Sequence, residues 1–78
     1  MREKKPTCIV TFRTTTGAMA MEQSALTESV PGRLIPVPRS ISAGCGLCWA
    51  APEDSREAVE ELVISRQLDV DGIYVVLL

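Results

Sequence analysis

The 78-residue chain contains no histidine and only three aromatic residues. The absence of histidine excludes Ser-His and Cys-His nucleophile pairs, together with most zinc-enzyme sites. Three aromatic side chains are too few for a surface that stacks bases, and the net charge of -2 disfavours a phosphate backbone as a partner. We therefore expect an aliphatic core, no bound metal and no nucleic-acid partner.

A long hydrophobic run is also missing. The apolar stretch that follows the basic N-terminus covers residues 8–12 and ends at Arg13, which is too short for a signal peptide or a membrane span. Three cysteines are an odd number, which fits free thiols or metal ligands better than a disulfide framework. These features predict a single cytoplasmic domain over residues 1–78, without a membrane segment or a bound cofactor.

The first half of the chain shows the pattern of a strand followed by a helix. Residues 8–12 are rich in strand-forming types, and Thr14 to Thr16 supply side-chain oxygens that can cap a helix. The helix should end near Ser29, before the breaker pair Pro31-Gly32. The residues expected on its core side are Ala18, Met19, Met21, Glu22, Ala25 and Leu26.

The second half adds two strands, a helix and a last strand. Prolines at positions 36 and 38 predict that residues 33–38 form an edge strand or a strand that leaves the sheet at Pro36. Residues 46–51 form the third strand, a helix opens at Pro52, and residues 73–78 form the fourth strand. The order βαββαβ predicts a ferredoxin-like α+β fold, with two helices on one face of an antiparallel sheet. Alternate apolar residues at Ile73, Val75 and Leu77 leave enough surface for a homodimer.

The loop at residues 38–46 is the strongest candidate for a functional site. Gly44 and Gly46 flank Cys45, so other molecules can reach the sulfur, and glycine backbones can turn their N–H groups toward an anion. Nearby side chains that can stabilise a thiolate are Arg39, Arg33, Arg13, Ser40 and Ser42. The alternative interpretation is a tight turn in which Cys45 is a small apolar filler.

Cys45 and Cys48 also form a Cys-x-x-Cys pair. If the residues between them are extended, their Cα atoms lie roughly 10 Å apart, beyond the approximately 7 Å limit for a disulfide. A curled loop would bring them together. Cys8 begins a strand and is expected to be buried filler. A metal-binding or dithiol redox module that uses Cys45 and Cys48 therefore remains an alternative.

The chain resembles a family of small selenium/sulfur carrier-like domains from Cys8 to about Tyr74. Three segments carry the resemblance: Thr11-Phe12 with the start of the first helix, residues 33–39, and residues 41–46. The Pro-x-Pro-Arg stretch that leads into Ser-x-Gly-Cys-Gly is the most specific part of the match.

The resemblance implies that Cys45 carries a persulfide or selenopersulfide, with Arg39 and Ser42 as neighbours of the site. It implies a carrier without turnover of its own, which receives its cargo from a donor protein and passes it to an acceptor enzyme. Cys48 departs from the family pattern and could serve as a resolving thiol. A non-catalytic regulatory domain that binds a small molecule is the remaining alternative, because ferredoxin-like folds host many functions.

Overall fold

The computed structural model describes residues 4–41 and 44–78. Its four strands form one sheet in the order β2-β3-β1-β4, and each neighbouring pair is antiparallel. A 3₁₀ turn at Glu53–Ser55 precedes the second helix. The predicted α+β class and element order are therefore confirmed. The elements are β1 (Pro6–Thr11), α1 (Thr15–Glu28), β2 (Arg33–Pro36), β3 (Leu47–Pro52), α2 (Arg56–Ser65) and β4 (Gly72–Leu77).

Local capping sets both ends of α1. The Thr14 side chain accepts a hydrogen bond of 3.1 Å from the Gly17 N–H, which satisfies one of the free donors of the first turn. At the other end Ser29 adopts a left-handed conformation with φ of 58°, and its N–H points to the carbonyl groups of the last turn. Both predicted ends of this helix are confirmed.

Both helices pack on the same face of the sheet. Alternate residues of β1 and β3 point toward this face, where they meet the apolar sides of α1 and α2. The resulting buried cluster consists of Cys8, Val10, Phe12, Ala18, Met21, Ala25, Trp49, Ala51, Val59 and Leu62.

Two residues expected in the core of α1 lie on its outer side. Met21 and Ala25 are buried as predicted, but Met19 is 58% exposed and Leu26 is 70% exposed. Residues seven positions apart lie on the same side of a helix, as Met19 and Leu26 do. That side is rotated by about a quarter turn or more from the side of α1 that faces the sheet. The assignment of Met19 and Leu26 to the core is therefore wrong.

The face of the sheet opposite the helices also contains buried residues. Ile9, Thr11 and Cys48 are fully buried, although no helix among the described residues covers them. Their neighbours across the strands include Ala50 and Tyr74, which flank Ile9 on its two sides.

Neither described helix is both long enough and apolar enough to cross a membrane.

One end of the sheet gathers several loops, and we call it the Thr11 end. Thr11 pairs with Cys48 on one side and with Gly72 on the other, while Pro36 pairs with Leu47. The end of β1, the end of β2 and the beginnings of β3 and β4 therefore meet there. The β2–β3 loop leaves and rejoins the sheet at this end.

Candidate functional site at the loop that holds Cys45

The loop between β2 and β3 is closed by backbone hydrogen bonds. The Val37 N–H donates to the Gly46 carbonyl at 3.1 Å, and the Ile41 N–H donates to the Pro38 carbonyl at 3.0 Å. Gly46 has φ of +79°, a left-handed conformation that favours glycine and lets the chain turn into β3. Ser42 and its neighbour Ala43 lie outside the described residues, so the predicted role of Ser42 has no structural description.

Gly44 lies directly against the corner between β1 and α1. A Cβ atom at this position would be 3.1 Å from the carbonyl oxygen of Arg13, which is tighter than an ordinary van der Waals contact. The absence of a side chain at Gly44 therefore lets the loop approach that corner. Sequence reasoning did not identify the Arg13 carbonyl as part of the site, and the glycine was the only signal that pointed to a close approach.

Cys45 is half-buried at the edge of the helix-side core. Its side chain packs against the buried cluster, yet part of it stays open to solvent. The sulfur donates a hydrogen bond of 3.4 Å to the carbonyl oxygen of Leu47. This hydrogen bond uses the thiol proton, so a thiolate at Cys45 cannot make it.

Cys8 and Cys48 are sealed from solvent. Both are 0% exposed, which confirms the expectation that Cys8 is buried filler. Burial raises the pKa of Cys48 to about 11, and the neighbouring Cys45 adds to the shift. Burial likewise raises the pKa of Cys8. At neutral pH both side chains are therefore protonated and shielded from attack.

The two sulfurs of the Cys-x-x-Cys pair belong to opposite faces of the sheet. Cys45 packs against the helix-side core, whereas Cys48 pairs with Thr11 on the other face and its sulfur contacts the Pro36 carbonyl at 3.9 Å. All three cysteines are free thiols. The two side chains therefore have different surroundings, and the resolving role of Cys48 stays a prediction.

The arginines expected near the sulfur take three different positions. Arg39 is an exposed residue of the loop itself, and within the described residues its guanidinium makes no hydrogen bond to the Cys45 sulfur. Arg33 pairs with Ala50, three residues beyond the start of β3, which places it roughly 10 Å along the sheet from the loop. The structure therefore separates Arg33 from Cys45.

Arg13 holds a position beside the loop, but its charge is offset. Its guanidinium donates to Asp69 Oδ1 and to the Val70 carbonyl, both at 3.1 Å, and lies 3.6 Å from Asp71 Oδ1. These contacts tie the start of α1 to the turn that precedes β4. The backbone N–H groups of Gly44 and Gly46 were expected to surround the sulfur, but among the described residues the hydrogen bond of this sulfur is its donation to the Leu47 carbonyl.

An open cleft lies at the other end of the sheet from Cys45. It has a volume of about 840 Å³, and its lining includes Lys5, Thr7, Arg33, Ala50 and Glu53. Across residues 4–41 and 44–78 there is no group of three or more histidine, cysteine, aspartate or glutamate side chains placed to hold a metal ion. Because the cleft lies at the opposite end of the sheet, it is not part of the Cys45 loop.

The buried Cys48 thiol predicts a loss of stability at high pH. The unfolded chain ionises this thiol near its ordinary pKa of 9.0, whereas the folded protein holds the pKa at about 11. Between these values the unfolded state releases a proton that the folded state retains. The free energy of unfolding should therefore fall as the pH rises from about 9 to about 11, by on the order of 2 kcal/mol.

Urea denaturation at several pH values measures this effect. The matched control is Cys48→Ala, which removes the titrating group and leaves the lysines and Tyr74 unchanged. We expect a shallower decline in the variant than in the wild type. Parallel declines in the two proteins would contradict the prediction.

The fold and this loop define a class: a small α+β domain that presents one accessible thiol at the end of its sheet. The family model described as "Putative Se/S carrier protein-like" matches residues 7–75 of the chain. Since the match covers most of the sequence, the chain belongs to this Se/S carrier-like family. Neither the curated proteins nor the solved structures include a significant match.

Proposed function

We propose that this protein is a sulfur or selenium carrier that holds its cargo covalently on Cys45. The observation that carries the proposal is the contrast between the three thiols. Cys8 and Cys48 are 0% exposed, while Cys45 is half-buried on a glycine-bounded loop. A thiol that exchanges groups with other proteins has to be reachable, and Cys45 alone among the cysteines meets this condition.

Membership of the Se/S carrier-like family supports the same residue. The family match covers the loop that contains Cys45, and its description names the kind of cargo. Gly46 contributes because a side chain there would project into open space beside the sulfur, while Gly44 lets the loop pack against the Arg13 carbonyl. Arg39, which is exposed in the same loop, can contribute positive charge as a donor protein docks.

The transfer step exchanges one sulfur–sulfur bond for another. The Cys45 thiolate attacks the terminal sulfur of a donor persulfide, R–S–SH. The bond between the two donor sulfurs breaks, the donor leaves as a thiolate, and Cys45 becomes Cys45–S–SH. No external oxidant is consumed, because the sulfane sulfur moves at a constant oxidation level. A donor selenopersulfide, R–S–SeH, would load selenium in the same way.

Release to an acceptor enzyme repeats the exchange in the opposite direction. An acceptor nucleophile attacks the terminal sulfur and restores the Cys45 thiolate. Cys48 is a poor candidate for this step, since it is 0% exposed, its pKa is raised to about 11, and it lies on the other face of the sheet. The proposal therefore assigns discharge to an external acceptor, and the donor and acceptor proteins are the partners of this domain.

Incubation with a cysteine desulfurase and cysteine tests the proposal directly. The wild-type protein should gain a mass of about 32 Da, one sulfur atom, in intact-protein mass spectrometry, and the gain should disappear on treatment with a reductant. Cys45→Ser should show no gain in mass, because the accepting sulfur is gone. Since position 45 is partly exposed, the variant should keep the fold.

The matched controls are Cys8→Ala and Cys48→Ala, which remove the other two thiols. Both should load as the wild type does if Cys45 is the carrier. Equal loading of Cys45→Ser and the wild type would contradict the proposal, as would the loss of loading in Cys48→Ala with the fold intact.

We further propose that the fold has the ferredoxin-like topology. Read from β4, the strand order is β4-β1-β3-β2. The units β1-α1-β2 and β3-α2-β4 each join two strands that are separated by one strand of the other unit, as in a split βαβ arrangement. A reducing cytoplasm is the compartment in which Cys45 would remain available as a free thiol.

A further inference from the structure

Among the strands that the structure describes, none pairs with the outer edge of β4, so the backbone groups along that edge are unpaired. Lys5 and Leu78 exchange two backbone hydrogen bonds of 2.8 Å and 3.0 Å, which makes them a hydrogen-bonded pair between β1 and β4. In an antiparallel ladder such pairs alternate, so Val76 and Tyr74 also direct their N–H and C=O groups toward β1. The corresponding groups of the intervening residues point away from the sheet. These residues are Ile73, Val75 and Leu77.

The other edge of the sheet is protected, and this contrast singles out β4. Strand β2 has four residues, begins at Arg33 and ends at Pro36, which lacks a backbone N–H. Short length, charge and proline are the devices that keep edge strands from pairing with other chains. Strand β4 has six residues, GIYVVL, and contains neither a proline nor a charged side chain. Its edge is therefore available to another strand.

The side chains along β4 are apolar and partly uncovered. On the helix side Val75 is 40% exposed and Leu77 is 62% exposed, and on the other side Tyr74 is 44% exposed. β-Branched and aromatic residues on both faces are the types that stabilise cross-strand pairs. A partner strand with the same composition would cover these side chains while it paired the backbone.

We infer that β4 pairs with β4 of a second copy, antiparallel, about a two-fold axis at Val75. In this register Val75 lies opposite the partner's Val75, and Ile73 lies opposite the partner's Leu77. All three outward-facing residues of each copy then form hydrogen-bonded pairs, and Tyr74 lies opposite the partner's Val76. The result is a continuous eight-stranded sheet in which all the helices lie on one face.

The charges at the two ends of β4 favour the antiparallel orientation. The turn before β4 carries Asp69 and Asp71, and their two negative charges are only partly offset by Arg13. The exposed residues Lys4 and Lys5 lie near the far end of β4, where Lys5 pairs with Leu78. An antiparallel pair brings the acidic turn of each copy toward the basic end of the other. The contact is isologous, so it closes as a dimer and does not extend into a fibre.

Two variants that place opposite charges at Val75 test both the pairing edge and the register. Sedimentation velocity should give the wild type twice the chain mass of 8.5 kDa. Val75→Lys and Val75→Glu should each sediment as single chains, since like charges would then lie directly opposite each other across the pair. An equimolar mixture of the two variants should recover the doubled mass.

Leu26→Lys is the matched control, because Leu26 is 70% exposed but lies on α1, away from β4. This variant should keep the doubled mass. Circular dichroism establishes that each variant is folded, and Leu77→Lys replaces Val75→Lys if the latter unfolds. A wild type that remains a single chain up to near-millimolar concentration would overturn the inference, and so would a dimer that persists in a folded Val75→Lys or Leu77→Lys variant.

Discussion

Gly32→Ala is expected to lower the free energy of unfolding by about 3 kcal/mol, a large fraction of the stability of a domain this small. Gly32 has φ of +136°, a conformation that L-residues rarely adopt. A Cβ atom would lie 2.8 Å from the Ala50 carbonyl oxygen and would overlap the indole ring of Trp49. Trp49 is 3% exposed, so the ring has little room to move aside. The strain and the overlap act together.

Gly46→Ala separates these two causes. Gly46 also has a positive φ, +79°, but a Cβ atom there would meet nothing within 4 Å. The control should therefore cost only the backbone strain, about 1 kcal/mol. Urea denaturation followed by circular dichroism and by the fluorescence of the single tryptophan measures both variants. Equal losses of stability in the two variants would show that the contact with Trp49 has no cost.

The second large effect is expected in the alkylation of Cys48, which should be at least 100-fold slower in the folded protein than in urea. The pKa of about 11 leaves roughly 100 times less thiolate at pH 8 than the same group has in the unfolded chain, where the pKa is 9.0. The sulfur is also 0% exposed, so a reagent reaches it only when the structure opens. Cys8 should be protected for the same reasons.

Iodoacetamide labelling with peptide mass spectrometry resolves the three cysteines in one experiment. In the native protein a single label should appear first, at Cys45, and labels at the other two positions should follow only under denaturing conditions. In Cys45→Ser the rapid label should be absent. Rapid native labelling of Cys48 would contradict the placement of this residue inside the fold.

Local signals in the sequence predicted much of the fold. Thr14 before the first helix and Pro31-Gly32 after it define helix ends through interactions within a few residues, so the pattern alone was sufficient. Pro36 marked β2 as an edge strand for a similar reason, since a missing N–H prevents pairing on both sides. Helical spacing was less reliable. It placed Met21 and Ala25 correctly but did not locate the boundary of the buried side, so Met19 and Leu26 were misassigned.

The surroundings of Cys45 depended on contacts between distant segments. The sequence indicated Arg39 first, with Arg33 and Arg13 as further candidates, but strand register moved Arg33 to the far half of the sheet. An ion-pair network with Asp69 and Asp71 occupied Arg13. The close approach of Gly44 to the Arg13 carbonyl joins residues 31 positions apart in the chain, and no local pattern encodes it.

The sequence by itself determined the order of the elements and the presence of a glycine-bounded thiol, because propensity, capping and turn chemistry act over a few residues. Only the tertiary structure decided that Cys48 is buried on the face opposite the Cys45 side chain and that β4 has an open edge. Both facts follow from which strands pair and in which register. A shift of one residue in that register would turn each side chain of a strand to the other face.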